Sequence, residues 1–358
     1  MADRARAGRR DPTIGICVTV AVLAVSAPGA AQDRPTRVGA IGGLDEAVLV
    51  GVRTALAHRD TVLILTDPSP AVHLHHDGGH EQWGTQGGGP AELEGPVAME
   101  WSGDRVFVLD QNQHKLVVFG IDGSFRSSRD LGGVWANRIF VVQGDTLLGT
   151  FVPMSEERAV VRLRGASADT LLEYRRPESR LRLTAPGAPS WTATQPFTAV
   201  DRWTVLPDAA VAHWDRRTGV LRFIDFAGVE VASIRVPPPE FPVTAADREH
   251  WVQTSIPSEF MGQRVFEPLR PVAREQAEFP EHFPPVMDLL PDPSGAVWVK
   301  RRITSSGEHW ILLDRTGAEL GALTLPVGEE LLHVGADELL VRAVDELGVE
   351  SVVRYRRP

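Results

Sequence analysis

Cysteine is almost absent from this sequence. Its 358 residues include a single cysteine, Cys17, which lies in an apolar N-terminal segment. A lone cysteine cannot form a disulfide within the chain, and it cannot build a cysteine metal site. A cysteine nucleophile is also excluded for all residues beyond that segment. We therefore expect a packed apolar core, and not cross-links, to stabilise the fold.

Lysine is nearly as scarce. Of the 37 basic residues only Lys115 and Lys300 are lysines. This bias is more typical of genome base composition than of a function. We therefore do not interpret the arginines as a phosphate site. The 47 acidic residues give a formal net charge of −10, which argues against nucleic-acid binding. A composition of 43% hydrophobic and 23% charged residues excludes a disordered chain, a fibrous repeat and a coiled coil.

One long apolar run, residues 13–25, lies near the N-terminus. Four arginines precede it, and small residues at 27–31 follow it. This order is typical of a secretory signal peptide, and the run is short for a membrane span. We predict that residues 1–31 are a signal peptide cleaved near Ala31, so that the protein is exported to the periplasm or beyond; an uncleaved anchor is the alternative. Cleavage removes four Arg and two Asp, which leaves −10 − 2 = −12.

A short pattern recurs six times beyond residue 31. A turn dipeptide, usually with Asp or Gly, precedes an apolar run; the copies are Arg59-Asp60-TVLIL, Gly103-Asp104-RVFVL, Gly144-Asp145-TLLGT, Pro207-Asp208-AAVAH, Ser294-Gly295-AVWVK and Ala336-Asp337-ELLVR. Their spacings are 44, 41, 63, 87 and 42 residues. Three of these match one four-stranded propeller blade of about 40–45 residues, and the two longer ones add an insertion. Gly-Asp suits the tight turn between two antiparallel strands.

Strand-like segments flank each copy, one before it and two after it. Four strands in each of six units predict an all-β fold, a six-bladed β-propeller over residues 32–358. The sixth unit ends at Tyr355 without an outer strand, so we expect residues 36–41 to supply it and to close the ring. A β-sandwich array is the alternative, but it does not explain one register repeated six times.

The glycine-rich connection between the first two units carries a resemblance to a known family. Residues 87–96 are GGGPAELEGP, followed by PVAMEWSGDRVFVLDQNQHKLVVFGIDG; FPPVMDLLPDPSGAVWVK and DELGVESVVRYR occur later. These segments resemble the secreted bacterial six-bladed β-propeller family, which is related to the NHL-repeat propellers. Ala91 and Leu93 stand where that family usually has Gly and Phe. The resemblance covers nearly all of residues 32–358 and implies the fold, but no particular reaction.

Two clusters invite a ligand interpretation. The glycines at 87–89 lack a following Lys-Ser/Thr, so we predict a structural turn and not a phosphate cradle. Four histidines, with Asp77 among them, lie close together on the expected third strand of blade one: His73, His75, His76 and His80. They could ligate a divalent metal. Because this strand is far from the axis, we favour an exposed polar strand face.

Enzyme signatures are scarce. The sequence has no Gly-x-Ser-x-Gly, no His-Glu-x-x-His and no EF-hand pattern. Three aspartates that end apolar runs, Asp67, Asp110 and Asp215, are expected to cap turns and not to converge on the channel. An alternative function, a metal-dependent hydrolase or lactonase, would place carboxylates at the central channel. Glu100, Asn137 and Asp201 are its candidates, with a divalent metal such as calcium as cofactor.

The two insertions are the strongest functional signal. Residues 177–196 and 237–285 both follow an outer strand and precede an inner strand, so they should share one rim. Thr244 and Asp247 match a capping box, which predicts a short helical insertion at 245–255 between blades four and five. The rim carries four candidate binding residues: Trp191, Arg248, His250 and Trp251.

These observations favour an exported binding or interaction propeller without enzymatic activity, its site on the insertion-bearing face. We assign no catalytic residue and no metal ligand, and we expect no cofactor. The partner would be an unknown ligand or an envelope or extracellular protein, the protein itself a monomer. A structural component of an envelope assembly is a third interpretation.

Overall fold

The computed structural model describes residues 35–42, 49–67, 70–76, 79–153, 155–164, 167–176, 179–238, 241–257, 264–304 and 307–357, all within one compact unit of residues 32–358. This part of the chain consists mainly of strands, with two helices. In chain order the strands are β1 (Thr36–Ile41), β2 (Val52–His58), β3 (Thr61–Thr66), β4 (Ala71–His76), β5 (Gly79–Trp83), β6 (Pro96–Ser102), β7 (Arg105–Asp110), β8 (Lys115–Gly120), β9 (Phe125–Asp130), β10 (Trp135–Val142), β11 (Asp145–Phe151), β12 (Glu157–Arg164), β13 (Ser167–Arg175), β14 (Arg180–Leu183), β15 (Trp191–Thr194), β16 (Arg202–Leu206), β17 (Ala210–Asp215), β18 (Val220–Asp225), β19 (Glu230–Arg235), β20 (Asp288–Pro291), β21 (Val297–Thr304), β22 (Gly307–Leu313), β23 (Glu319–Leu325), β24 (Glu329–Val334), β25 (Glu338–Val344) and β26 (Glu350–Arg356). The helices are α1 (Ala245–Ser255) and α2 (Leu269–Gln276). Neither helix in these ranges has the length and apolarity needed to cross a membrane.

The strands form six four-stranded antiparallel blades and one separate hairpin. From the axis outwards, the blades are β2 to β5, β6 to β9, β10 to β13, β16 to β19, β20 to β23, and β24, β25, β26 and β1. The innermost strands of neighbouring blades contact one another around the axis. The chain is therefore a six-bladed β-propeller, as the repeat predicts, and β14 and β15 form the extra hairpin.

The recurring dipeptides occupy the turns between the first and second strands of the blades. Gly103, Gly144 and Gly295 have φ of 63°, 84° and 86°, the left-handed region that glycine adopts without strain. The apolar run that follows becomes a second strand, packed on both faces; all six residues of β17 are buried. The repeat thus specifies the turn and the strand that fill each blade.

The ring closes with the strand predicted for it. Residues Thr36 to Ile41 pair antiparallel with β26, from Thr36 opposite Arg356 to Ile41 opposite Val352. The carboxylate of Glu350 also accepts a hydrogen bond of 2.7 Å from the backbone N–H of Val52, at the start of the next blade. The N-terminal strand therefore covers an edge that β26 would otherwise expose.

The core is distributed around the ring. Six apolar clusters each join two neighbouring blades, and a seventh lies in the insertions. Both lysines of the chain are buried within this framework. The Lys115 ammonium donates to the carbonyls of Gly89 and Glu92, both at 2.7 Å, and so holds the glycine-rich connection. The Lys300 ammonium lies 2.7 Å from the Glu308 carboxylate and 4.8 Å from the ring centroid of Trp310.

Candidate functional site

The two insertions pack together into one body on the face where the inner strands begin. The β14–β15 hairpin, α1 and α2 share an apolar cluster that is separate from the inter-blade clusters. Its buried members are Leu181, Leu183, Ala193, Trp251, Val252, Ile256, Phe266, Leu269 and Ala273. We call the hairpin and the two helices the cap. Sequence analysis placed both insertions on one rim, but it did not foresee that they share a core.

Local sequence explains one helix of the cap better than the other. The helix at 245–255 begins as predicted, because Thr244 Oγ1 accepts from the Asp247 N–H while the Asp247 carboxylate accepts from the Thr244 N–H. The second helix, α2, was not predicted. It contains Pro271 at its third position, where a missing N–H costs no helical hydrogen bond.

The four predicted binding residues divide into two core residues and two surface residues. Trp251 is buried against Phe279, with ring centroids 5.5 Å apart. The Trp191 indole N–H donates to the Ser255 carbonyl at 2.9 Å, which ties the hairpin to α1. Arg248 is exposed, with its guanidinium 5.5 Å from the Phe279 ring centroid, and His250 is half-buried. The tryptophans therefore hold the cap together, whereas Arg248 and His250 present their side chains at its surface.

Ionisable side chains also lie on the inner strands of five blades. They are Glu100 on β6, Arg138 on β10, Arg202 on β16, Asp288 on β20 and His333 on β24, all half-buried. Strand β10 has a bulge before Arg138 and β24 has one before His333. Bulges redirect side chains, and they are frequent near functional sites.

Arg138 bridges three blades at the start of the channel. Its guanidinium donates to Asp288 Oδ1 at 3.0 Å and to the backbone carbonyl of Trp203. Burial of Asp288 opposes its ionisation. The attraction between its carboxylate and the positive charges of Arg138, Arg202 and Lys300 is stronger and holds the pKa of this carboxyl well below its ordinary value. Asp288 is therefore a carboxylate at neutral pH.

Arg202 lies beside this pair without a partner of its own. Its Nε atom is fully buried, and its guanidinium forms no hydrogen bond or ion pair with any described residue. Burial lowers the pKa of Arg202, and the neighbouring Arg138 and Arg176 lower it further, whereas Asp288 raises it. An arginine nevertheless stays protonated in proteins, so this charge remains in place.

Two further groups are perturbed in the channel wall. Burial raises the pKa of Glu100 to about 7. The backbone N–H of Trp101 donates to the Glu100 carboxylate at 2.9 Å, and this hydrogen bond lowers the pKa. Burial alone lowers the pKa of His333 to about 4. Near neutral pH His333 is therefore uncharged and Glu100 is about half protonated, in contrast to the charged groups near Arg202.

The other candidates have bonds that position them in turns or pairs. The Asp110 carboxylate accepts from the N–H groups of Glu94, Gly95 and Gln113, and Asp215 accepts from the Arg217 N–H, as expected of turn caps. Asp67 instead pairs with Arg53 at 2.5 Å. Asp201, a candidate of the hydrolase alternative, accepts from the Arg216 N–H at 3.0 Å.

The histidine cluster lies on the periphery, as expected. His73 Nδ1 is 3.0 Å from His80 Nε2, and His73 Nε2 is 3.0 Å from Thr66 Oγ1. Burial lowers the pKa of His73, and His80 lowers it further. Asp77 lies outside the described residues. Within the described ranges no group of three or more His, Cys, Asp or Glu is arranged to hold a metal ion.

Two open clefts lie on the face opposite the cap. One, of about 690 Å³, runs between blades two and three and is lined by Asp104, Arg126 and Gly144. The other, of about 600 Å³, occupies the corresponding place between blades three and four. Because they recur at equivalent junctions, the clefts follow from the geometry of the ring.

The fold and its site define a capped six-bladed β-propeller with ionised groups at the start of its channel. No protein-family model matches the chain, and no curated protein matches it. A solved structure of a candidate exported protein from Bacteroides fragilis is similar, with a TM-score of 0.53 and 12% identity over 92% of this chain and 97% of that one. At this identity the likeness shows the propeller fold and nothing more.

Two other propeller structures are more distant. The calcium-binding protein regucalcin from Agrobacterium tumefaciens has a TM-score of 0.46 and 12% identity, over 90% of this chain and 96% of that one. Virginiamycin B lyase from Staphylococcus aureus, in a complex with quinupristin, has a TM-score of 0.45 and 9% identity, over 88% and 98%.

Proposed function

We propose that this protein is an exported binding propeller without enzymatic activity, and that its ligand or partner contacts the cap-bearing face. The observation that carries the proposal is the cap itself. Two insertions from separate blade connections build one apolar core that no blade needs for its own packing. A rigid ring that carries an added folded element on one face is a common arrangement for a binding surface.

The surface of the cap suits recognition. Arg248 is exposed above the Phe279 ring, and His250 follows it on the same helix. An arginine held by an aromatic face is preorganised, so less side-chain entropy is lost on binding. Buried Trp251 and Trp191 contribute by fixing the helix that presents these residues.

Export is supported by the order of basic, apolar and small residues at 1–31, a segment that lies outside the described residues. The fold is compatible with this proposal, because a candidate exported protein shares it. The partner would then be a ligand or protein of the envelope or the extracellular space.

Hydrogen exchange with and without a bound ligand or partner tests the proposal, after a thermal-shift screen of metals, sugars, lactones and peptides has found one. We expect protection in α1 and in the cap-proximal ends of the inner strands. The variants Arg248→Ala and His250→Ala should weaken binding without lowering the melting temperature. Arg126→Ala, on the opposite face, is the matched control. A footprint on the clefts of the opposite face would show that the cap is only a plug.

A further inference from the structure

The unpartnered Arg202 lies where the chain gathers positive charge. The Arg138 guanidinium donates to the carbonyl of the next residue, Trp203, and to Asp288 Oδ1, so that Arg138 and Asp288 lie beside Arg202. The charges of Asp288, Arg138 and Arg176 all act on Arg202. Three arginines and one aspartate leave a local charge of +2. The whole chain, by contrast, carries −10. A small positive site in an acidic protein attracts anions selectively, because the surrounding field repels them elsewhere.

Strand geometry explains why Arg202 is held there. Trp203 and Val205 pack in the cluster between blades three and four, whereas Leu206 packs in the cluster between blades four and five. Because side chains alternate along a strand, Arg202 lies on the same side as Leu206, towards blade five and Asp288. The Trp203 indole N–H donates to the Tyr174 hydroxyl at 3.1 Å, which anchors the neighbouring residue.

The arrangement is costly unless something compensates for it. Asp288 Oδ1 already accepts from Arg138 and from its own Leu289 N–H, so it is not committed to Arg202. A buried donor without a partner destabilises a fold, and the charges of Arg138 and Arg176 add repulsion. Structures retain such local violations mainly at functional sites.

We propose that Arg202, together with Arg138, forms an oxyanion-binding site at the start of the central channel, which takes a carboxylate or phosphate group of a small ligand. The planar guanidinium of Arg202 would bind two oxygens of this group side by side. Arg138 supplies further positive charge beside it, and the charge of Arg176 acts in the same sense. Asp288 holds Arg138 in place. The site rests on the proposed function, since it names the ligand class for the cap-bearing face.

Isothermal titration calorimetry of the purified protein at low ionic strength tests the site, with inorganic phosphate and succinate as separate probes. We expect the protein to bind at least one of them, and the tighter of the two identifies the preferred group. Arg202→Met should weaken binding by about tenfold or more. Arg235→Met, which removes an exposed arginine from the outer strand of the same blade, should not.

A readout of stability separates a binding role from a structural one. Without a ligand, Arg202→Met should melt at the same temperature as the parent protein or higher, because a buried N–H donor without an acceptor is removed. A merely structural arginine would lower the melting temperature when replaced. If Arg202→Met does not fold, Arg202→Lys and Arg176→Met take its place, and full affinity in both variants would overturn the site. Absence of binding to the parent protein, or equal binding by Arg202→Met, would overturn it too.

Hydrogen exchange distinguishes this proposal from the broader one. If neither anion binds but another ligand protects the cap-bearing face, the oxyanion site is wrong and the proposed function stands. If an anion binds and protects only the opposite face, both are wrong.

Discussion

The channel wall contains one carboxyl group whose removal should stabilise the protein, but only at high pH. Glu100 is half-buried on the inner strand β6, and burial raises its pKa from 4.5 to about 7. Below 4.5 the group is protonated in both the folded and the unfolded chain, so it has no effect on stability. Between these values the unfolded chain loses the proton first, and stability falls as pH rises. Above 7 the full penalty applies.

The size of this penalty follows from the pKa. Each pKa unit corresponds to about 1.4 kcal/mol, so a rise from 4.5 to about 7 gives an upper limit of about 3.5 kcal/mol. Since the Glu100 side chain is only half-buried, we expect a smaller penalty of about 1–2 kcal/mol. The variant Glu100→Gln keeps the shape of the side chain and can still accept from the Trp101 N–H. It should therefore remove the penalty without removing a contact.

Urea unfolding followed by tryptophan fluorescence measures the effect across a pH series. The free energy of unfolding of Glu100→Gln should equal that of the parent protein near pH 4 and exceed it by about 1–2 kcal/mol near pH 8.5. Glu346→Gln, in an exposed turn, controls for the loss of one negative charge. A difference between variant and parent that stays constant over this range would refute the reasoning.

Three other predictions concern the framework. A protein that starts at residue 43 lacks β1, and its free energy of unfolding in urea should be lower by about 3 kcal/mol or more than that of a protein that starts at residue 32. This is the scale expected for exposing two core side chains. Equal stability would contradict ring closure by β1. When the native protein is treated with an amine-acylating reagent, mass spectrometry should show no modification of Lys115 or Lys300, whereas both should react in the denatured protein. Rapid labelling of the native protein would show instead that the lysines are accessible. The exported protein should begin near Gln32, and an intact Met1 in its mass spectrum would argue for an uncleaved segment.

The blades could be predicted because their determinants are local. A turn residue such as Gly103, followed by an apolar run, specifies one turn and one buried strand, and six copies specify a ring. Even the closing strand follows, since the sixth unit lacks an outer strand. The cap was predictable only in part. A capping box marks α1, but α2 contains a proline. The strands β14 and β15 have only four residues each, so the turn at Pro186-Gly187 does not by itself indicate a hairpin.

The charged site could not be predicted from spacing. Arg138, Arg202 and Asp288 are far apart in the chain, and they meet only because blades three, four and five follow one another around the axis. The scarcity of lysine also concealed them, since it made every arginine look like a consequence of composition. A weak signal existed: a single charged residue interrupts an otherwise apolar inner strand, as Asp288 does in VMDLL. Glu100 was singled out only as a candidate for metal chemistry.

The cap and the charged site are joined through the segments that lead into two inner strands. Phe197 precedes β16, which carries Arg202, and Phe283 precedes β20, which carries Asp288. The two phenylalanine rings pack with centroids 4.6 Å apart, and Phe283 is buried. Phe197 also contacts Phe279, the residue that both Trp251 and Arg248 touch. A displacement of the cap would therefore shift the starts of both strands, and with them the spacing between Arg202 and Asp288. Binding at the surface of the cap and binding at the channel are thus expected to influence each other, since both depend on the same aromatic contacts.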